Sequence, residues 1–117
     1  MESGGKAPTA PRKMNDVIRT MLNQAGGIGP ICAMTGAQII YDNDTNSATL
    51  HFKRQTGKNK ISHLKLTYNE GSDLYDLKGY RYNKRTLACP EVWSQEMVYA
   101  DRLKRVCEDV TGLCFTL

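Results

Sequence analysis

The chain has no apolar run approaching the ~20 residues that a membrane-crossing helix needs, and its first residues lack the apolar core of a secretory leader. No helical anchor is expected, and the chain reads as a soluble cytoplasmic protein. Its four cysteines, Cys32, Cys89, Cys107 and Cys114, include no Cys-x-x-Cys pair and no histidine at finger-like spacing, which argues against a zinc site. They are also too sparse for a disulfide-stapled secreted scaffold, so reduced, buried thiols are expected. No glycine-rich phosphate loop is present, because Gly26-Gly27-Ile28-Gly29-Pro30 follows a helical pattern instead of opening one. Only two histidines occur, His51 and His63, with no carboxylate or third ligand at a spacing that would recruit them into catalysis or a metal site. Neither an enzyme nor a cofactor is expected.

What remains is 117 residues, enough for one domain that buries its core without metal or disulfides. Residues 1–13 carry Gly4, Gly5, Pro8 and Pro11 without helical or strand periodicity and read as a flexible tail. The expected domain is 14–117. Val17, Ile18, Met21, Leu22 and Ala25 share a stripe, Asn15 suits an N-cap and Gly26-Gly27 a stop, which predicts a helix over 16–25. Gly29-Pro30 argues against its resumption. Ile31 to Met34 is a short apolar run, with Gly36 read as a bulge or turn between two short strands, and Gln38 to Tyr41 is β-branched and aromatic enough for a strand.

Two alternating segments follow the polar turn 42–46. In 48–53, Ala48, Leu50 and Phe52 share one face; in 62–68, Leu64, Leu66 and Tyr68 do. A hairpin centred on Gly57 sets Leu50 opposite Leu64 and His51 opposite His63. After a turn at 69–73, a third strand from Leu74 to about Asn83 places Tyr75 beside Tyr68 and Leu77 beside Leu66, with Gly79 as a potential bulge. Residues 84–93 read as a connection. Ser94 then caps a second helix whose stripe is Tyr99, Leu103, Val106 and Val110, ending at Thr111-Gly112. Leu113, Phe115 and Leu117 alternate as a terminal strand or docked tail. The fold class is α+β: an antiparallel sheet of about four strands, with an N-terminal and a C-terminal helix packed on one face.

The charge is uneven. From Lys53 to Arg85 nine cations stand against three acids, a local +6, whereas the whole chain carries +4. Lys53, Arg54, Lys58 and Lys60 crowd the tip of the first hairpin, and the predicted open sheet face adds Lys65, Lys78, Tyr80 and Tyr82. Cations interleaved with flat rings suit nucleic acid, the charges releasing counterions from phosphate and the rings stacking on bases. The same residues also suit an ordinary solvated sheet face. DNA or RNA is the expected partner of these eight residues, with a host protein as the alternative and no membrane.

The order helix, strands, helix resembles double-stranded-RNA-binding domains. That family opens its second helix on a lysine cluster, whereas Val92-Trp93-Ser94-Gln95-Glu96 has no cation, so the assignment is not adopted. Ala33-Met34-Thr35-Gly36-Ala37, Asp73-Leu74-Tyr75-Asp76, Val98-Tyr99-Ala100-Asp101 and Thr111-Gly112-Leu113 together resemble a family of small uncharacterised proteins of bacteriophages and mobile elements, over about residues 15–117. The resemblance implies a phage or plasmid setting and a compact protein in the cytoplasm of a host cell. It supplies no catalytic residues. The host-protein alternative is an effector such as an inhibitor of a host defence or replication complex.

Overall fold

The computed structural model describes residues 13–115. The expected tail lies outside the described residues apart from Lys13, as does Leu117. Helix α1 spans Asp16–Gln24, and Asn15 caps it by accepting a hydrogen bond from the Ile18 amide at 2.8 Å. Its apolar stripe seals against the sheet, with Ile18, Met21, Leu22 and Ala25 fully buried, while Val17, expected on the same stripe, is exposed.

Helix α1 is followed at once by a second helix, α2 (Ile28–Thr35), where the sequence predicts short strands. Pro30 is tolerated because it falls in the first turn, where backbone amides have no intrahelical acceptor. The Gly27 carbonyl accepts from Ile31 N at 2.9 Å, closing the first turn. Gly36 is neither bulge nor strand turn: at φ +70 it is the left-handed cap that ends α2.

Five antiparallel strands then run as a simple meander: β1 (Gln38–Asp42), β2 (Ser47–Thr56), β3 (Ile61–Asn69), β4 (Leu74–Tyr80) and β5 (Glu91–Val98), each paired with its sequence neighbours. The predicted registers hold through the middle of the sheet: Leu50 faces Leu64, His51 faces His63, Leu66 faces Leu77 and Tyr68 faces Tyr75. Near the tip the first register shifts, and Thr56 faces Ile61. The hairpin is therefore not symmetric about Gly57. Its turn is Gly57–Lys60, closed by Lys60 N donating to Gly57 O at 3.1 Å, with Lys60 itself at φ +52.

The larger correction is β5. Residues 91–98 are an edge strand and not a connection followed by a helix, and Ser94 pairs with Lys78 in mid-strand. Its period-2 signal is broken by a bulge: Leu77 faces Gln95 but Tyr75 faces Val98, and the extra residue, Met97, sits at φ +58. A short 3-10 turn (Ala100–Arg102) leads to α3 (Leu103–Thr111), so Tyr99 lies outside the helix and is exposed. The rest of the predicted stripe holds. Leu103, Cys107 and Val110 are buried in one core with Leu50, Phe52, Leu64, Leu66, Leu77 and α1. Phe115 is fully buried as a docked tail, its amide held by the Glu108 carboxylate at 2.8 Å. The fold is thus α+β with five strands and three helices among the described residues, against about four strands and two helices expected. Of the four thiols only Cys107 is buried; Cys89 and Cys114 are exposed.

Candidate functional site

The sheet face turned away from the core carries the predicted His51, His63, Lys65, Lys78 and Tyr80, and the edge strands add residues that the sequence pattern does not place there. One row crosses the sheet as Gln38, His51, His63, Tyr80 and Glu91, and the next as Ile40, Thr49, Lys65, Lys78 and Ser94. The His51 and His63 rings stack with centroids 4.3 Å apart and planes within 7°. The hydroxyl of Ser62 lies 2.8 Å from His63 Nδ1. Partial burial, and then the charge His51 would carry, hold the His63 pKa below its ordinary value, so this stack favours the neutral ring.

The face is electrically mixed. Lys78 Nζ lies 3.6 Å from the Glu91 carboxylate, and Asp76 sits opposite Thr67. Lys65 is half-buried, and Tyr80 is half-buried beside the histidines. Of the eight predicted site residues, Lys65, Lys78 and Tyr80 therefore form a balanced patch.

The unbalanced charge collects where β2 runs out beyond Phe52. There an open notch of about 620 Å³ is lined by Lys53, Arg54, Arg81, Lys84 and Arg85 together with Gln55, Tyr82 and Asn83. Five cations and no acid line it. The sequence pattern points to Lys53, Arg54 and Tyr82; Arg81, Lys84 and Arg85 enter its local charge without a place in the expected site, because only the tertiary fold brings the 81–85 segment beside β2.

Uncharged groups build this notch. Ser62 Oγ, itself buried, accepts from Tyr82 N at 2.9 Å and tethers the chain just beyond β4. Asn83 Oδ1 accepts from the amides of Arg85 at 2.8 Å and Thr86 at 3.3 Å, the side chain replacing a backbone turn. Asn83 N donates to Ala88 O at 2.8 Å, closing the loop on itself. Lys84 and Arg85 are thus displayed on a closed, hydrogen-bonded loop. Gln55 Nε2 reaches Tyr82 O at 3.4 Å, joining the two walls.

Lys58 and Lys60 lie elsewhere in the same neighbourhood. The turn that carries them is docked on the end of α3: Thr56 Oγ1 donates to Thr111 O at 2.5 Å. Lys58 and Asn59 line a second, larger groove between β5 and α3, of about 880 Å³. Arg81 ties the two regions together by donating from Nε and Nη2 to Asn59 O, at 3.2 and 2.6 Å.

No family model matches the chain, and no curated protein or solved structure matches it either.

Proposed function

We propose that this chain is a small, non-enzymatic binding protein of phage or mobile-element origin that engages nucleic acid, DNA or RNA, in the cytoplasm of a host cell. The observation that carries the proposal is the notch in which Lys53, Arg54, Arg81, Lys84 and Arg85 converge without an acid among them, with Tyr82 at its side. Five exposed cations around one notch favour an anion, and a phosphodiester backbone satisfies several of them at once while releasing counterions. Arginine adds planar, bidentate donors suited to phosphate oxygens. Lys58 and Lys60 extend the positive surface past the turn, and the Lys65, Lys78 and Tyr80 patch borders it. The motif resemblance supports the phage setting.

The test is polarisation binding to single- and double-stranded DNA and RNA across a salt series. Affinity is expected to fall steeply with salt. Charge reversal at Lys53 or Arg81 is expected to reduce the slope of log K against log salt by about 0.7–0.9 for each phosphate it leaves unneutralised. Absence of binding to all four at low salt would overturn the proposal. A second reading, an effector that docks on a host protein's acidic surface, is favoured by Leu87, which stands 72% exposed beside the basic loop. A pull-down from host lysate that retains one defined protein after nuclease treatment would select it.

A further inference from the structure

We infer that the nucleic acid is taken as a single strand, its backbone passing from the cationic notch over the 57–60 turn into the groove between β5 and α3, where unpaired bases stack on Trp93 and Tyr99. This rests on the proposed nucleic-acid reading and deepens it. The groove of about 880 Å³ has both rings in its lining, together with the cations Lys58, Arg102 and Arg105 and a single acid, Asp109. That is the composition of a strand-tracking channel: positive charge along the walls for phosphate, and aromatic faces for bases.

Trp93 is placed by its register in the sheet. Trp93 pairs with Gly79 on β4, and a Cβ at Gly79 would lie 3.5 Å from the Trp93 ring and 2.8 Å from Ile61 Cγ2. The conflict is with Ile61, whereas 3.5 Å is ordinary van der Waals contact; Trp93 packs on β4 at Gly79, half-buried, as a wall of the groove. Tyr99 stands 58% exposed, outside any helix, at the point where the chain leaves the sheet. Because β5 is the edge of the sheet, no further strand among the described residues closes the groove on that side. The bulge at Met97 interrupts regular strand pairing along that edge, which disfavours an added peptide strand.

Continuity with the notch is direct. Arg81 lines the notch, Asn59 lines the groove, and the Arg81 guanidinium is bonded to the Asn59 carbonyl. A chain of phosphates can meet Lys53 and Arg54, Arg81, then Lys58 and Arg105 in turn. In a duplex the base faces are stacked inside and cannot reach Trp93 or Tyr99, whereas a single strand can turn its bases outward.

Trp93 is the only tryptophan in the chain, so its fluorescence reads the groove alone. Oligothymidine is titrated against the full chain while intrinsic fluorescence and the polarisation of a labelled strand are followed together. The expected result is quenching that tracks binding, with Tyr99→Ser weakening single-strand affinity by about tenfold. Arg105→Glu is expected to weaken it too. Both residues are exposed, so thermal melts should show both variants folded. If oligothymidine binds and Lys53→Glu weakens it, but Trp93 emission is unchanged and neither Tyr99→Ser nor Arg105→Glu has an effect, the groove inference is overturned and the notch reading stands. Equal quenching by a duplex, or quenching by polyglutamate but not by oligothymidine, would also overturn it. No binding of any nucleic acid would overturn both.

Discussion

Gly57 offers a sharp test of how the basic turn is held. A Cβ added there would stand 2.0 Å from the Val110 carbonyl oxygen and 3.0 Å from its carbon, and the residue sits at φ +77. Gly36 has nearly the same backbone, φ +70, but an added Cβ meets nothing within 4 Å. Alanine in this left-handed region costs ~1–2 kcal/mol, offset by ~0.4–1 kcal/mol because alanine restricts the unfolded chain. Gly36→Ala should therefore lose about 1 kcal/mol of stability. Gly57→Ala carries the same strain and a steric conflict that no side-chain rotation relieves, since the obstacle is backbone in the last turn of α3. That turn must retreat by about 1 Å to bring the separation even to 3.0 Å. Retreat breaks the Thr56–Thr111 hydrogen bond, worth ~1 kcal/mol, and lifts part of Val110 out of the core, roughly another 1 kcal/mol. The expected loss is about 3 kcal/mol, read as the shift in urea unfolding of both variants against the parent. If Gly57→Ala loses no more than Gly36→Ala, the turn is not packed on α3 as described and Lys58 is not held in the groove.

Asn15→Ala should cost about 1–2 kcal/mol in the same assay, because it removes both the cap on Ile18 N and the 2.8 Å bond from Asn15 Nδ2 to Asn46 Oδ1; Asn15→Ser, which keeps only the cap, should fall between. The depressed His63 pKa means the unfolded chain binds that proton first as pH falls through the ordinary 6.5. Stability should therefore drop below about pH 6.5 and level off beneath the lower native pKa, and His63→Gln should flatten this part of the thermal-melt profile; an unchanged profile would refute the assignment. A thiol reagent should modify the exposed Cys89 and Cys114 rapidly in the native state and leave Cys107 unmodified until unfolding, since complete burial pushes its pKa up. Prompt labelling of Cys107, read by mass spectrometry, would contradict its place in the core.

The middle of the sheet was legible because alternation and a buried face fix register together: a one-residue slip would turn Leu50, Leu64 and Leu66 out to water. The same clarity held for α1, whose stripe and cap agree. Legibility failed where a local rule had two solutions. Gly29-Pro30 forbids continuing a helix but permits starting one, and the sequence alone does not say which applies. At β5 the bulge at Met97 moves the inward position from 97 to 98, so Trp93, Gln95 and Val98 fit no single period, while the i, i+4 spacing of Tyr99 and Leu103 extended the α3 stripe one turn too far.

The candidate site was obscured for a different reason. A charge count treats every cation as equivalent, whereas tertiary structure sorts them by neighbours. Lys78 meets Glu91, and Lys65 is half-buried beside Thr49 and opposite Lys78. Arg81, Lys84 and Arg85, more than twenty residues from Lys53 in the chain, share a notch with it. Nothing in their own spacing announces this. It follows from Ser62 and Asn83, whose side chains accept the amides of Tyr82, Arg85 and Thr86 and so bend the chain after β4 back toward the end of β2. The five cations stand exposed around the notch, Lys53 and Arg54 on β2 and the others on the segment after β4; because uncharged hydrogen bonds close the 83–88 loop, an anion would meet Lys84 and Arg85 without having to order that loop first.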